Sequence, residues 1–420
     1  MMRSKRVAYI DETGHVVLPP ELLSLYQLQP GSQVRLLENE NGIQLQLPSR
    51  LAKLYIEPTN QCNLNCRTCM RNDWDEPQGM MSDKVFSRVI DGLRSFSPMP
   101  AVFFGGLGEP LFHPNIVDMV ARAKSLGIGV ELITNGTLLT RKVSQGLVEA
   151  GLDTLWVSLD GATPESYTDI RLGAELPRVL ENLADFRGAI SRGGTEDCFP
   201  PLNRFGTQLG IAFVAMKRNI ADLPEVIDIG QRFGAAHFLV TNVLPYTRSM
   251  VDEVLYYRTL NNGDYKSLNL PGIDMDKYTC LPIYQTLHNA CGSWSGTNPE
   301  SMRNRCPFIE KGMGAINWEG NLSPCLPLLH SHVSYLGHLK YDRRFSRRWP
   351  IGNVMEHDLR DLWNTPEHLA FRERVLNFDF SPCTTCGSCE LSEKNEEDCY
   401  GNKFPTCGSC LWAQGVIGCP

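Results

Sequence analysis

Between residues 51 and 245 the chain alternates strand-like and helix-like stretches, and that alternation fixes most of what it can fold into. The strand-like runs are LYIEP, AVFFGG, VELITNG, DTLWVSLDG, QLGIAFVAM and AHFLVTNVLP. Between them lie SDKVFSRVIDGLRSF, HPNIVDMVARAKSLG, TRKVSQGLVEAG, RVLENLADFRGAI and LPEVIDIGQRFG, with apolar residues at helical spacing and several ending at Gly. Alternating β and α runs imply a parallel sheet with right-handed crossovers. Six strands are two fewer than the roughly eight of a closed barrel. The expected fold is therefore α/β, a partial (β/α)6 barrel, with its chemistry at the C-terminal strand ends.

Every unusual motif falls at such an end. Cys62, Cys66 and Cys69 follow the first strand in IEPTNQCNLNCRTCM. Three thiolates on one loop can hold three corners of a four-iron, four-sulfur cluster, because thiolate is the ligand such clusters take. The fourth iron then lacks a protein ligand nearby, and an open metal position is a reactive one. A structural zinc loop is the alternative, but zinc usually pairs a C-x2-4-C with a second Cys/His pair, and no other Cys lies within about a hundred residues. GGLGEP follows the second strand, either a backbone cradle for a ligand or a tight turn. Thr134–Asn135–Gly136 ends the third strand and Ser158–Leu159–Asp160–Gly161 the fourth.

Composition sets the remaining bounds. The 420 residues are 42% hydrophobic and 21% charged, ordinary for a globular protein, with a formal net charge of −7. That balance gives no general attraction to nucleic acid or anionic membrane. The basic segment YDRRFSRRW reads as a solvated face. No apolar run reaches the length of a membrane span, and the start carries no secretion signal, so a cytoplasmic protein is expected. Fifteen Cys, mostly in tight groups, argue for metal binding over disulfides. Residues 5–48 read as a β-rich module with turns at ETG, QPGS and ENG, and 246–305 as a connection. From 306 to 420 the chain is Cys-dense: Cys306, Cys325, Cys383, Cys386, Cys389, Cys399, Cys407, Cys410 and Cys419. Such a tail cannot readily bury a core of its own and is expected to need metal to fold. Cys198, Cys280 and Cys291 are isolated and read as small buried hydrophobes.

Together the Cys triad, GGLGEPL and SLDG resemble the radical S-adenosylmethionine (SAM) enzymes. The G-x-x-x-x-C ending of INWEGNLSPC, Gly320 to Cys325, and CTTCGSC resemble their SPASM extension, which carries auxiliary iron–sulfur clusters. The resemblance covers nearly all the chain from residue 51. It implies that SAM chelates the open iron, that an electron from the cluster breaks the sulfonium bond, and that a 5′-deoxyadenosyl radical takes hydrogen from the substrate. It assigns Cys62, Cys66 and Cys69 to the catalytic 4Fe–4S cluster. It assigns Gly106, Gly108 and Glu109 to the SAM amine through main-chain groups, and Ser158 and Asp160, with Asn135 on the neighbouring strand end, to SAM contacts. Arg171 matches an arginine that pairs with the SAM carboxylate, a fork well suited to that group; an exposed surface Arg is the alternative. One or two auxiliary clusters would draw on the nine tail Cys, with the partition open. Thr68 stands where the family often has an aromatic residue beside the adenine, and the gaps flanking Cys399 exceed the usual SPASM spacing.

CRTCMRNDWDEPQGMMS, TLWVSLDGATPESY and CLWAQG further resemble the radical SAM maturases associated with tungsten-containing aldehyde oxidoreductases. This implies a tungsten oxidoreductase or its tungstopterin as partner, with a ferredoxin or flavodoxin as reductant. The competing enzyme reading is a SPASM enzyme that crosslinks a peptide or protein through thioether or carbon–carbon bonds. Residues 5–48 resemble the swapped-hairpin module of AbrB-type transcription factors. A docking module, or a dimer formed through it, is expected over DNA binding, because little of the module beyond Lys5 and Arg6 is basic. An iron–sulfur DNA-binding sensor is the non-enzymatic alternative.

Overall fold

The computed structural model describes residues 7–25, 28, 35–39, 42–46, 50–192, 206–256, 268–269, 273–289, 304–335, 343–383 and 390–420. Cys198, Cys291, Cys386 and Cys389 lie outside these described residues, as does the QPGS turn.

A ten-stranded sheet organises the chain. Its strands are β1 (Lys53–Ile56), β2 (Ala101–Phe104), β3 (Val130–Thr134), β4 (Thr154–Ser158), β5 (Gln208–Ala215), β6 (His237–Asn242), β7 (Leu268–Asn269), β8 (Met313–Ile316), β9 (Asn321–Ser323) and β10 (Gly352–Asn353). Their spatial order is β7-β6-β5-β4-β3-β2-β1-β8-β9-β10. Strands β1 to β6 are the six expected from sequence, parallel and in chain order. Two further parallel strands flank them. β7, from the connection, pairs with β6, and β8, from the Cys-dense tail, pairs with β1. Strands β9 and β10 continue that edge antiparallel.

The two-residue period of the strands divides the core in two. Leu54, Ile56, Val102, Phe104, Leu132 and Val157 face the helices. Tyr55, Phe103, Trp156 and Leu239 face the barrel interior, where Phe308, Phe371, Phe380 and Ala413 of the tail cover them. The tail lacks a separate core because it uses the inner face of the barrel. Residues 416–418 run along β6, where the Asn242 amide donates to the Val416 carbonyl at 3.0 Å and the Gly418 N–H to Thr241 Oγ1 at 2.9 Å. The Tyr55 hydroxyl donates to the Pro420 carbonyl at 2.5 Å.

The crossover helices follow from local signals. α1 (Asp83–Leu93) starts where Ser82 Oγ accepts from the Val85 N–H, and Phe86, Val89, Ile90 and Leu93 form its buried stripe. α2 (Ile116–Lys124), α3 (Arg141–Glu149), α4 (Pro164–Ile170), α5 (Leu176–Arg192) and α6 (Leu223–Arg232) complete the set. α4 opens on a capping box of Thr163 and Ser166. Gly151 and Gly234, at φ +81° and +76°, terminate α3 and α6 in the left-handed region. Near the start, Tyr9–Ile10 pairs with Val16–Val17 and Arg35–Asn39 with Gly42–Gln46, two hairpins around the expected ETG and ENG turns. No described helix is long and apolar enough to cross a membrane.

Candidate active site

The Cys loop leaves β1 and is pinned by the C-terminal end of α4 and by the end of β3. The Asn65 and Arg67 amides donate to the carbonyls of Leu172 and Ile170, at 3.1 and 3.0 Å. Arg67 also pairs with Asp169 at 3.0 Å. Asn63 donates to Thr137 Oγ1 at 2.8 Å and accepts from Asn135 at 3.1 Å. The sulfurs accept hydrogen bonds: Cys62 from the Leu64 amide at 3.4 Å and the Asn135 side chain at 3.8 Å, Cys69 from Arg71 Nε at 3.4 Å. Burial pushes the Cys62 and Cys66 thiols up, while the Leu64 amide and Arg71 pull Cys62 back and Arg171 pulls Cys66 back. The three thiols are near enough for their charges to act on one another. Sulfurs with N–H donors aimed at them and two guanidiniums beside them suit thiolate ligands of an iron–sulfur cluster. Among the described residues no group of three His, Cys, Asp or Glu side chains, the loop thiols included, stands close enough together to hold a single metal ion.

The glycine loop lies against the Cys-loop lead-in. A Cβ on Gly108 would sit 2.1 Å from the Thr59 carbonyl oxygen and 2.6 Å from that of Gln61. One on Gly106 would sit 2.7 Å from Glu57 Cγ. These glycines are needed for close main-chain approach whichever ligand the loop takes. The Glu109 amide donates to the Gln61 carbonyl at 2.8 Å. Its buried carboxylate accepts from the Thr134 hydroxyl and the Asn135 amide, both at 2.7 Å, and from the Leu111 amide at 3.0 Å. Burial still raises the Glu109 carboxyl, against those three donors. Glu109 thus ties the glycine loop to the end of β3, and its side chain is committed to protein donors.

At the end of β4, Ser158 is buried and Asp160 fully so. Asp160 accepts from Arg171 Nε at 2.7 Å and Nη2 at 2.6 Å, and its other oxygen from the Val214 amide at 2.8 Å. Arg171 is only 12% exposed, so the surface alternative is excluded. Burial opposes its charge, and Asp160 and Cys66 more than restore it. Arg171 stands within electrostatic reach of both Cys66 and Glu109. Cys62, Cys66, Cys69, Gly106, Gly108, Glu109, Asn135, Asp160 and Arg171 therefore meet on one rim although 109 residues of sequence separate the first from the last.

In the tail, Cys306, which is buried, and Cys325, Cys407 and Cys410, which are partly buried, form one group whose charges act on each other. Burial pushes Cys306 up to about 12. The Cys410 amide donates to the Cys407 carbonyl at 3.0 Å. Cys383 stands near Cys399, and Arg344 lies within electrostatic reach of Cys383, Cys407 and Cys410 alike. Cys419 lies beside Cys410, accepts from Trp412 Nε1 at 3.3 Å, and is pushed up to about 11 by burial.

A barrel open at one side, a three-thiol loop at its first strand end and a second thiol-lined region behind define an iron–sulfur radical enzyme. Sequence comparison agrees: the Radical SAM superfamily domain matches residues 56–202 and the SPASM iron–sulfur cluster-binding domain residues 306–390. The chain belongs to this superfamily, whose members carry a 4Fe–4S cluster, use SAM, and with SPASM hold auxiliary clusters. It is 30% identical over 375 residues to the tungsten-containing aldehyde ferredoxin oxidoreductase cofactor-modifying protein of Pyrococcus furiosus, covering 87% of this chain and 96% of that one. It is 29% identical to the Fe-coproporphyrin III synthase of Methanosarcina barkeri, over 86% and 88% of the two chains. Among solved structures, Streptococcus suis SuiB bound to S-adenosylmethionine shares the fold at TM-score 0.53 and 18% identity, covering 81% of this chain and 71% of that one.

Sequence reasoning missed Asn63, Arg71, Glu57 and His330. Asn63 and Arg71 lie within two residues of a cluster thiol, a signal that was present. Glu57, a charge closing an apolar strand, was also visible. His330 carried no local signal.

Proposed function

We propose that this radical SAM enzyme finishes or installs the tungstopterin cofactor of a tungsten-containing oxidoreductase. The observation that carries this reading is the match to the Pyrococcus furiosus cofactor-modifying protein across nearly the whole of both chains. The Methanosarcina barkeri relative is named for synthesis of a small molecule, Fe-coproporphyrin III, which favours a small-molecule substrate over the peptide crosslinking alternative.

When bound, the cluster supplies the electron that cleaves SAM to a 5′-deoxyadenosyl radical. Cys62, Cys66 and Cys69 hold it, and Arg71 and Asn135 donate to its thiolates. Main-chain groups of Gly106–Glu109, with Ser158, receive the SAM amine, and Arg171 receives its carboxylate. Glu109 and Asp160 act one step back, fixing the glycine loop and the guanidinium. Cys306, Cys325, Cys407 and Cys410 hold the inner auxiliary cluster, and Cys383 and Cys399 contribute to an outer one. A ferredoxin or flavodoxin in the cytoplasm supplies electrons, and residues 5–48 serve docking or dimerisation.

The test is anaerobic reconstitution and reduction with dithionite, followed by chromatography for 5′-deoxyadenosine with and without the cofactor-free tungsten oxidoreductase. SAM cleavage stimulated by that partner is expected. A fully loaded protein that leaves SAM intact would overturn the class, and cleavage indifferent to the partner would overturn the substrate.

A further inference from the structure

His330 lies in the tail, 273 residues from Glu57, yet the two meet at 2.7 Å between His330 Nε2 and Glu57 Oε2. Both are buried: the side chains are 2% and 0% exposed. The other Glu57 oxygen accepts from the Leu107 amide at 3.0 Å. Leu107 is the residue between Gly106 and Gly108, and Gly106 lies flat against the Glu57 side chain. One carboxylate therefore grips the glycine loop with one oxygen and the tail with the other. No thiol takes part in this contact.

The surroundings bias His330 toward the charged form. Its Nδ1 has no hydrogen-bond partner among the described residues and faces Glu76 Oε2 at 3.9 Å. Glu76 is itself fastened to the tail, accepting from the Ser331 amide at 2.8 Å. Trp74 packs edge-on at 4.9 Å. Glu319, on the β8–β9 turn, adds a third carboxylate, and Arg348 reaches both Glu76 and Glu319. His332, two residues on, is held neutral by burial. Burial disfavours the His330 imidazolium, but the hydrogen bond and charge of Glu57, with Glu76 and Glu319, outweigh it and hold its pKa above the ordinary value.

We propose that His330 is a positioning residue for SAM: through Glu57 it fixes the Leu107 amide and the glycine loop, so that SAM binds well only when the tail is docked. This rests on the assignment of the glycine loop to SAM. Outer partners that orient a binding group are typically worth about 10- to 100-fold in affinity. The contact also makes the SAM site responsive to how the tail is seated.

The experiment uses the full, anaerobically reconstituted chain. Iron per chain is measured first, then SAM affinity by equilibrium dialysis from about pH 6 to 9, a span around the ordinary histidine pKa. His330→Ala should weaken SAM binding about 10- to 100-fold with unchanged iron. His330→Gln, whose amide can still donate to Glu57, should recover most of that loss. Both proteins share the slope that the titrating SAM amine contributes; beyond it, wild-type affinity should fall as pH rises through the folded His330 pKa, and the Gln variant should lack that extra fall. His330→Ala binding within about twofold of wild type, or a Gln variant with the wild-type pH slope, would overturn the proposal. Wild-type protein that binds no SAM would instead remove the functional reading on which it stands.

Discussion

Gly108→Ala probes the site more sharply than loss of any ligand, because its effect follows from distance alone. The added methyl would lie 2.1 Å from the Thr59 carbonyl oxygen and 2.6 Å from that of Gln61. Both obstacles are main chain, so neither can swing aside as a side chain would. The glycine loop and the Cys-loop lead-in must part by roughly 1 Å, and a misplacement of that size near a reacting centre can cost about 100-fold in rate. Overpacking adds about 1–3 kcal/mol of destabilisation. Gln61 directly precedes Cys62, so the shift passes to the first cluster ligand. Gly129→Ala is the matched control, since its methyl would meet only the Ala101 Cβ at an ordinary 3.6 Å. Both variants would be reconstituted anaerobically and compared for iron content, melting temperature and the rate of 5′-deoxyadenosine release. The expected pattern is a collapse of SAM cleavage in Gly108→Ala and near wild-type behaviour in Gly129→Ala. Equal activity in the two, with iron intact, would refute the reasoning.

Cys66→Ala should abolish SAM cleavage while iron analysis still finds the tail loaded; normal cleavage would unseat the triad. Asp160→Asn leaves the Arg171 guanidinium buried without its counter-charge, and removing one partner of such a pair costs about 3–5 kcal/mol. Denaturant melts that differ from wild type by under about 1 kcal/mol would contradict this pairing. Burial, with the Arg372 charge, pulls His368 down to about 3 in the fold. Its folded pKa is below the unfolded value, so its contribution is complete above about pH 6.5 and is lost as pH falls toward 3, up to roughly 5 kcal/mol in all. Melting curves across that range should therefore fall more steeply for wild type than for His368→Gln, and parallel curves would remove His368 from the account.

The six catalytic strands were legible because each is a short apolar run, most of them ended by Gly, Asn or Asp, and the thiol, glycine and SLDG motifs gave their own positions. β8 was not. MGAI is a four-residue stretch with no alternation to mark it, and its partner β1 lies some 260 residues earlier. The same separation hid Glu57 and His330, since an imidazole and a carboxylate in different regions leave no trace of their meeting. Arg171 could be read as exposed or bound because its fate depends on Asp160 eleven residues away. The grouping of Cys306 and Cys325 with Cys407 and Cys410 crosses eighty residues, so spacing gave the tail no partition.

Strand β8 has a practical corollary for anyone wishing to dissect this enzyme. A fragment ending near residue 256 would strip β1 of its neighbour and uncover Tyr55, Phe103 and Trp156 at once. An unpaired parallel edge beside bare aromatic surface is an invitation to aggregate. The catalytic half is therefore poorly suited to isolation by truncation, and its chemistry is best dissected by point substitution within the intact polypeptide.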